Sequence, residues 1–417
     1  MFKLACEGGR PVRSEHLVFG RPLIGEEEIA EMVDTLRSGW IGFGPKCLRF
    51  EKEFANYVHA DFALSVNSAT AALHLALMAS NVGPGDEVIT TPLTFTATVN
   101  VISHVRAKPV FVDVDPRTQN MDPVLLERAV TRRTKAIMPV HMTGWPCAMD
   151  EIEAIGERHG LTVIEDAAHA AETWYRGRKV GSMSAFTAFS FYATKNLTTG
   201  EGGMLTTNDA NVIDRVRALR LHGLDKDAWK RYTPGAFTPY ETLEPGYKYN
   251  MTDLQASLGL HQLDRLERAL AVRERIWSMY DEAFAELEGV TVPQIPAEPD
   301  TRHARHLYTI RLDLERLECD RMRFIQAVSA ENIGTGIHFV PVHLHRYYRK
   351  TYGTKRGDYP NAERIGDRTL SLPLSASMSE EDARDVIAAV TKVARRYARS
   401  RIVVVGSDAE DGVRQAA

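Results

Sequence analysis

Up to about Asn250 the chain alternates short apolar runs with longer amphipathic stretches, and no other feature restricts its fold as much. Ala63 to Val66, Glu87 to Thr90, Pro109 to Val114, Ala136 to Val140 and Thr162 to Ile164 have the length and composition of strands. Between them Ala71 to Met78, Ala97 to His104, Pro123 to Val130 and Met149 to Arg158 carry apolar residues at helical spacing. Two helices precede the first strand, Leu48 to Val58 and, before it, Glu26 to Arg37 with Ile29, Met32, Val33 and Leu36 on one face. Strand, crossover helix and parallel strand join right-handed. The pattern therefore predicts βαβ units around a mainly parallel sheet flanked by helices.

After Asn250 the rhythm changes. A long helical stretch from Asp253 to about Leu287 leads to Pro293, Pro296 and Pro299, and an α+β pattern beyond them ends in a helix near Glu380 to Tyr397. A chain of 417 residues exceeds one ordinary core. We therefore expect an N-terminal segment over 1–24, a large α/β domain over 25–270, a smaller α+β C-terminal domain over 271–400 and a disordered tail over 401–417.

Composition narrows the class. Hydrophobic content of 44% and charged content of 25% fit a soluble globular enzyme. A formal net charge of -4 gives no electrostatic case for nucleic acid, and no apolar run is long enough for a membrane span. Cys6, Cys47, Cys147 and Cys319 are scattered without a CxxC pair, which points to a reducing compartment and the cytoplasm rather than a zinc site.

Four places on this scaffold carry polar groups that fit one chemistry. Asn67, Ser68, Ala69 and Thr70 form a strand-to-helix turn whose N–H groups and hydroxyls suit a phosphate, although an ordinary Ser/Thr helix cap has the same composition. Glu165, Asp166 and His169 follow a strand at the edge where open α/β sheets bind ligands, with a helix N-cap as the competing role for Asp166. Ser190 and Lys195 end the apolar run that begins at Ala185, ahead of the turn Gly200 to Gly203. A lysine carried by a sheet into a partly desolvated site has its charged form disfavoured and can act as a nucleophilic amine. The fourth is Tyr249 to Asp253, which a second capping turn would equally explain.

In this order the segments are similar to the aspartate-aminotransferase superfamily, fold type I of the pyridoxal-phosphate enzymes. More narrowly the chain resembles the DegT/DnrJ/StrS-type sugar aminotransferases from about Gly39 to Val390. The residues that carry the likeness are Ser38 to Trp40, Asn67 to Leu73, Glu165 to His169, Ser190 to Asn196, Gly200 to Gly203, Gly246 to Asp253 and Gly334 to Phe339. Within that family Pro245 to Asn250, Leu221 to Leu224 and Gly334 to Phe339 followed by Tyr347 and Tyr348 resemble the enzymes that make UDP-4-amino-4-deoxy-L-arabinose. Phe95 stands where those enzymes have tryptophan, and Tyr192 where they have histidine.

The resemblance implies an aspartate-aminotransferase-like fold and pyridoxal 5'-phosphate as cofactor. Lys195 would carry the Schiff-base link and shuttle the substrate proton, and Asp166 would keep the ring nitrogen protonated. His169 would hydrogen-bond the phenolic oxygen, with a satisfied structural histidine as the alternative. Phe95 would lie against the ring, with a core phenylalanine as the alternative. Ser68, Ala69, Thr70 and Ser190 would hold the phosphate, reached from the neighbouring subunit by Asn250, so a homodimer with shared sites is implied. The reaction would be a ping-pong transfer of the amino group of L-glutamate to a nucleotide-linked keto sugar, a 4-keto sugar in particular, with a 3-keto sugar or a keto cyclitol as the alternative acceptor. His338 would face that sugar, whose identity would depend on side chains of the stretches 232–240 and 338–348.

Other classes fit the residues less well. A dinucleotide-dependent dehydrogenase needs a third glycine after Gly42 and Gly44, and a preceding strand. A zinc hydrolase built on His338, His343 and His345 has no HExxH partner, and these three histidines suit a solvated loop better. A non-catalytic regulator that keeps the fold is opposed by the intact Lys195 and Asp166.

Overall fold

The computed structural model describes residues 3–225 and 240–399. The expected disordered tail and all but Tyr240 of the stretch 232–240 lie outside the described residues.

Helices α1 (Glu26–Ser38) and α2 (Pro45–Val58) lead into strand β1 (Phe62–Val66). The chain continues through α3 (Ala69–Ala79), β2 (Glu87–Thr90), α4 (Thr96–His104), β3 (Lys108–Phe111), α5 (Pro123–Ala129), β4 (Thr134–Met138), α6 (Met149–His159) and β5 (Thr162–Asp166). A short hairpin, β6 (Trp174–Tyr175) and β7 (Arg178–Lys179), precedes β8 (Phe186–Ser190), β9 (Gly203–Thr207) and α7 (Ala210–Arg220). The seven long strands form one sheet in the order β1-β9-β8-β5-β4-β2-β3. Only β9 runs against the others. The expected mainly parallel sheet is present, and its strands are buried almost throughout because helices cover both faces.

Alternation along the strands sorts the two faces. Ala136, Met138, Ile164, Phe186 and Ala188 pack with α3 and α7, while Ile137 and Val163 pack with α6. Asp166 has the parity of Ile164, so its carboxylate lies on the α3 and α4 side.

The long helix expected from Asp253 is two helices, α8 (Asp253–Asp264) and α9 (Leu266–Phe284), separated at Arg265. A second core forms where α9, α10 (Arg321–Ala330) and α13 (Glu380–Tyr397) pack on the antiparallel sheet of β10 (Val290–Thr291), β11 (Tyr308–Leu312) and β12 (Thr369–Leu372). Two shorter helices, α11 (Arg346–Tyr352) and α12 (Pro360–Arg368), precede β12.

The N-terminal segment is tied to this second core. Leu4 is buried in it, and the Glu331 carboxylate accepts from the backbone N–H groups of Ala5 at 2.9 Å and Val12 at 3.0 Å. Arg13 bridges Asp382 and Asp385 of α13. Leu17 then pairs with Ile333, and the next aromatic residue, Phe19, stacks on His338 with ring centroids 5.7 Å apart.

The apolar stripe of α1 does not face the core. Ile29 and Leu36 are 49% and 57% exposed, whereas Glu28 and Thr35, about a quarter-turn round the helix, are buried. Glu28 accepts from Gln262 and bonds Arg265 of the neighbouring helix pair, so the inner contact of α1 is polar.

Candidate active site

Three strand ends and one helix start meet at a single edge of the large sheet. Ser68 caps α3 by accepting the Ala71 N–H at 3.1 Å, so its hydroxyl serves the helix as the capping reading predicts. The N–H groups of Ala69 and Thr70, in the first helical turn, have no carbonyl one turn back, and the helix dipole adds partial positive charge there. Gly203 opens β9 directly against them: a Cβ at that position would sit 2.6 Å from both Ala69 N and Ser68 C. Ser190 pairs with Gly203 across β8 and β9. These N–H groups, with the hydroxyls of the turn and of Ser190, suit a phosphate.

Asp166 ends β5, buried to 5% exposure. Its Oδ1 accepts the Ala168 N–H at 3.1 Å and its Oδ2 accepts the Thr98 hydroxyl at 2.8 Å. Burial pushes its carboxyl above the ordinary range, while those hydrogen bonds and the Lys195 charge oppose the rise. Lys195 is half-buried beyond β8, in a turn closed by its own N–H on the Tyr192 carbonyl at 2.9 Å. Burial lowers its ammonium to about 8, with the Asp166 charge acting in the other direction. Roughly a tenth of such amines are neutral at pH 7, against fewer than one in a thousand for an exposed lysine.

Aromatic rings border these two groups. His169 is buried, its Nδ1 has no hydrogen-bond partner, and burial holds its pKa well below the usual value. Its ring lies 4.5 Å from that of His306 and is stacked with Phe339 at 6.0 Å. Phe339 reaches Phe95 at 6.0 Å, and Phe95 itself is 60% exposed. The core role considered for Phe95 is thereby excluded. His338 shares a 2.7 Å hydrogen bond with Ser371 through Nδ1. Of the other two histidines expected in a solvated loop, His345 is exposed, but His343 is fully buried against Glu363 at 2.9 Å. The carboxylate on the following helix α12 draws it inward.

Thr98 and His306 carry no signal in the sequence, because both reach the site only through the fold. Asn196 gives its two Nδ2 hydrogens to Glu172 at 3.0 Å and the Ala304 carbonyl at 2.9 Å, which leaves its Oδ1 to face His306 Nδ1 at 3.0 Å. The network therefore assigns the hydrogen of His306 to Nδ1. Glu172 is in turn ion-paired with the buried Arg273. A closed polar chain thus fixes the residue that follows Lys195.

Asn250 pairs with Val66 at the outer edge of β1 in its own chain, donates from Nδ2 to the Met251 carbonyl at 3.0 Å and keeps Oδ1 buried without a partner. Thr252 caps α8, and the Asp253 carboxylate accepts the N–H groups of Lys46 and Cys47 at the start of α2, so this segment includes the capping turn considered above.

The arrangement fits pyridoxal phosphate on its own chemistry. A phosphate has the Ala69 and Thr70 N–H groups with Ser190, a ring nitrogen has Asp166, a phenolic oxygen has the unpartnered His169, and a carbonyl carbon has Lys195. A family model described as the DegT/DnrJ/EryC1/StrS aminotransferase family matches residues 22–391. The chain is 53% identical over 384 residues to the spore coat polysaccharide biosynthesis protein SpsC of Bacillus subtilis, covering 92% of this chain and 98% of that protein. Among solved structures it is similar to Spr1654 of Streptococcus pneumoniae, described as a sugar aminotransferase, in its PMP form. The identity is 37% and the TM-score 0.84, over 91% of this chain and 99% of that one. The PLP form of Spr1654 matches at 36% identity, with a TM-score of 0.83 over 91% and 99% of the two chains. PseC of Helicobacter pylori, an aminotransferase involved in pseudoaminic acid biosynthesis, matches at 26% identity and a TM-score of 0.84, over 92% of this chain and all of that one.

Proposed function

We infer the reaction from one premise: the chain belongs to the DegT/DnrJ/EryC1/StrS aminotransferase family and is a pyridoxal-phosphate-dependent enzyme. We propose that it transfers the amino group of L-glutamate to a nucleotide-linked keto sugar, a 4-keto sugar in particular, in two half-reactions at one site. Its product would be an amino sugar for polysaccharide assembly, in keeping with the description of its relative SpsC. The observation that carries this reading is the half-buried Lys195 amine, lowered to about 8, beside the buried carboxylate of Asp166.

When bound, the cofactor supplies an electron-withdrawing ring that stabilises negative charge on the substrate carbon. Asp166 holds a proton on the ring nitrogen. The Lys195 Nζ would hold the cofactor's carbonyl carbon and would move the proton at the substrate carbon. His169 orients the phenolic oxygen. The N–H groups of Ala69 and Thr70, with the hydroxyls of Ser68, Thr70 and Ser190, anchor the phosphate. Phe95 and Phe339 exclude water from one side, and His338 meets a sugar hydroxyl. These roles predict two interconvertible absorbance states. L-Glutamate should convert the visible band of the purified protein to the near-ultraviolet band of the amino form, and one nucleotide 4-keto sugar from a panel of 3-keto and 4-keto compounds should restore it. A protein that takes up no pyridoxal phosphate would be a regulator, and the proposal would fall.

The working unit we propose is a homodimer in the cytoplasm. The exposed apolar stripe of α1 favours pairing, no described helix is long and apolar enough to cross a membrane, and the described cysteines are unpaired. Asn250 would contribute to the phosphate site of the neighbouring chain. Mixed dimers of a Lys195→Ala chain and an Asn250→Ala chain test this: each homodimer should be inactive or weak, and each mixed dimer should regain one of its two sites. No regain on mixing would place Asn250 in its own chain's site.

A further inference from the structure

Asp166 stands at the end of a row of hydroxyls. Thr94, just before α4, and Thr98, in its first turn, are both buried, with Oγ1 atoms 2.7 Å apart, and Thr98 Oγ1 lies 2.8 Å from Asp166 Oδ2. An ionised carboxylate can only accept, so the Thr98 hydrogen goes to Asp166. Thr98 must then accept from Thr94. The two hydroxyl dipoles run one way, from Thr94 through Thr98 to the carboxylate, and a chain of this kind polarises each bond in it.

The other groups that face Asp166 complete the account. Lys195 approaches from the turn after β8 and favours its charge. His141, from the segment after β4, also acts on it, but its Nε2 is spent on Glu165 at 2.7 Å on the opposite face of β5, and its Nδ1 accepts the Cys147 N–H at 3.0 Å. His169 has its own charged form suppressed by burial and by Lys195. The Ala168 N–H occupies Oδ1. Among the described residues Thr98 is therefore the one side chain that donates a hydrogen bond directly to the carboxylate.

We propose that Thr98, backed by Thr94, is a positioning residue of the reaction: its hydroxyl keeps Asp166 ionised and aimed, so that the proton of the pair stays on the cofactor's ring nitrogen. The proposal rests on the reading of Asp166 given above. Without the hydroxyl the buried carboxylate becomes the better base, and the shared proton moves towards it.

The test uses the holoenzyme loaded with pyridoxal phosphate labelled with 15N in the ring, and reads the nitrogen resonance near neutral pH. Thr98→Val keeps the shape and removes the donor. Its resonance should move from the protonated position towards the unprotonated one, while cofactor affinity falls about tenfold. Thr98→Ser should restore both values, and Thr94→Val, which leaves Asp166 untouched, should move them the same way by less. A resonance unchanged in Thr98→Val, or a shift that Thr98→Ser fails to reverse, overturns the proposal. Should Thr98→Val not fold, a wild-type resonance in Thr94→Val overturns it instead. Asp166→Asn is the control that separates the two levels: if it too leaves the resonance in place, the Asp166 reading fails, not merely the role of Thr98.

Discussion

Lys195→Ala will abolish turnover and leave no borohydride-fixable cofactor, while the protein remains folded. The turn at this position is closed by the Lys195 backbone N–H, which alanine retains, and the side chain brings a poorly solvated charge that the fold has to tolerate. Loss of the amine removes both the covalent anchor and the group that moves the proton. A general base alone is worth 10² to 10⁴ in rate, so a drop of at least about a thousandfold is expected. Single-turnover absorbance with L-glutamate measures the loss, the mass of borohydride-treated protein measures the link, and circular dichroism follows the fold. Wild-type turnover in this variant would remove Lys195 from the chemistry. A pH series adds an independent check. An ammonium lowered to about 8 is protonated below that pH and neutral above it. Capture of pyridoxal phosphate by the apoprotein should accordingly quicken as pH rises from 6 and level off above about 8, and a rate that is flat across this interval would contradict the assignment.

Asp166→Asn should bind the cofactor weakly and lose about a hundredfold or more in rate, because the amide cannot hold a proton on the ring nitrogen. Its stability should move the other way. The carboxyl of Asp166 is raised above the ordinary aspartate value by burial, so the folded apoprotein binds its proton more tightly than the unfolded chain does. The ionised form then costs stability at pH values above that raised pKa, and the cost vanishes as the group protonates in acid. The melting temperature of the apo variant relative to wild type should rise between pH 4 and pH 7. A falling difference would mean that the hydrogen bonds from Thr98 and Ala168 outweigh burial.

The features legible in the sequence are those written locally. Strands β2, β4 and β5 and helices α3, α4 and α6 lie where apolar spacing puts them, because each buries a contiguous face. Asp166 and Ser190 could be placed since a residue that ends a buried strand must emerge at the sheet edge, and Lys195 follows in the turn directly after β8. Thr98, His306 and Phe339 join the site from α4, the segment before β11 and the segment before α11, and the contacts that recruit them are long-range. The burial of His343 was illegible for the same reason, since Glu363 lies on a later helix. The stripe on α1 shows the converse limit: periodicity finds an apolar face and is silent on whether the chain's own core or something else covers it. At Arg265, whose side chain pairs with Glu28, the helical pattern of the sequence runs on through a break in the helix.

The binding of the first residues to the second core bears on how this protein is made. Leu4 has no hydrophobic home, and the N–H groups of Ala5 and Val12 have no acceptor, until Glu331 and α13 have left the ribosome. During synthesis the arm that places Phe19 on His338 must wait, unpaired, while the large sheet assembles behind it. Closure of the arm is then a late event with high contact order, and a nascent chain stalled before α13 would display the βαβ layers without the stacking of Phe19 on His338.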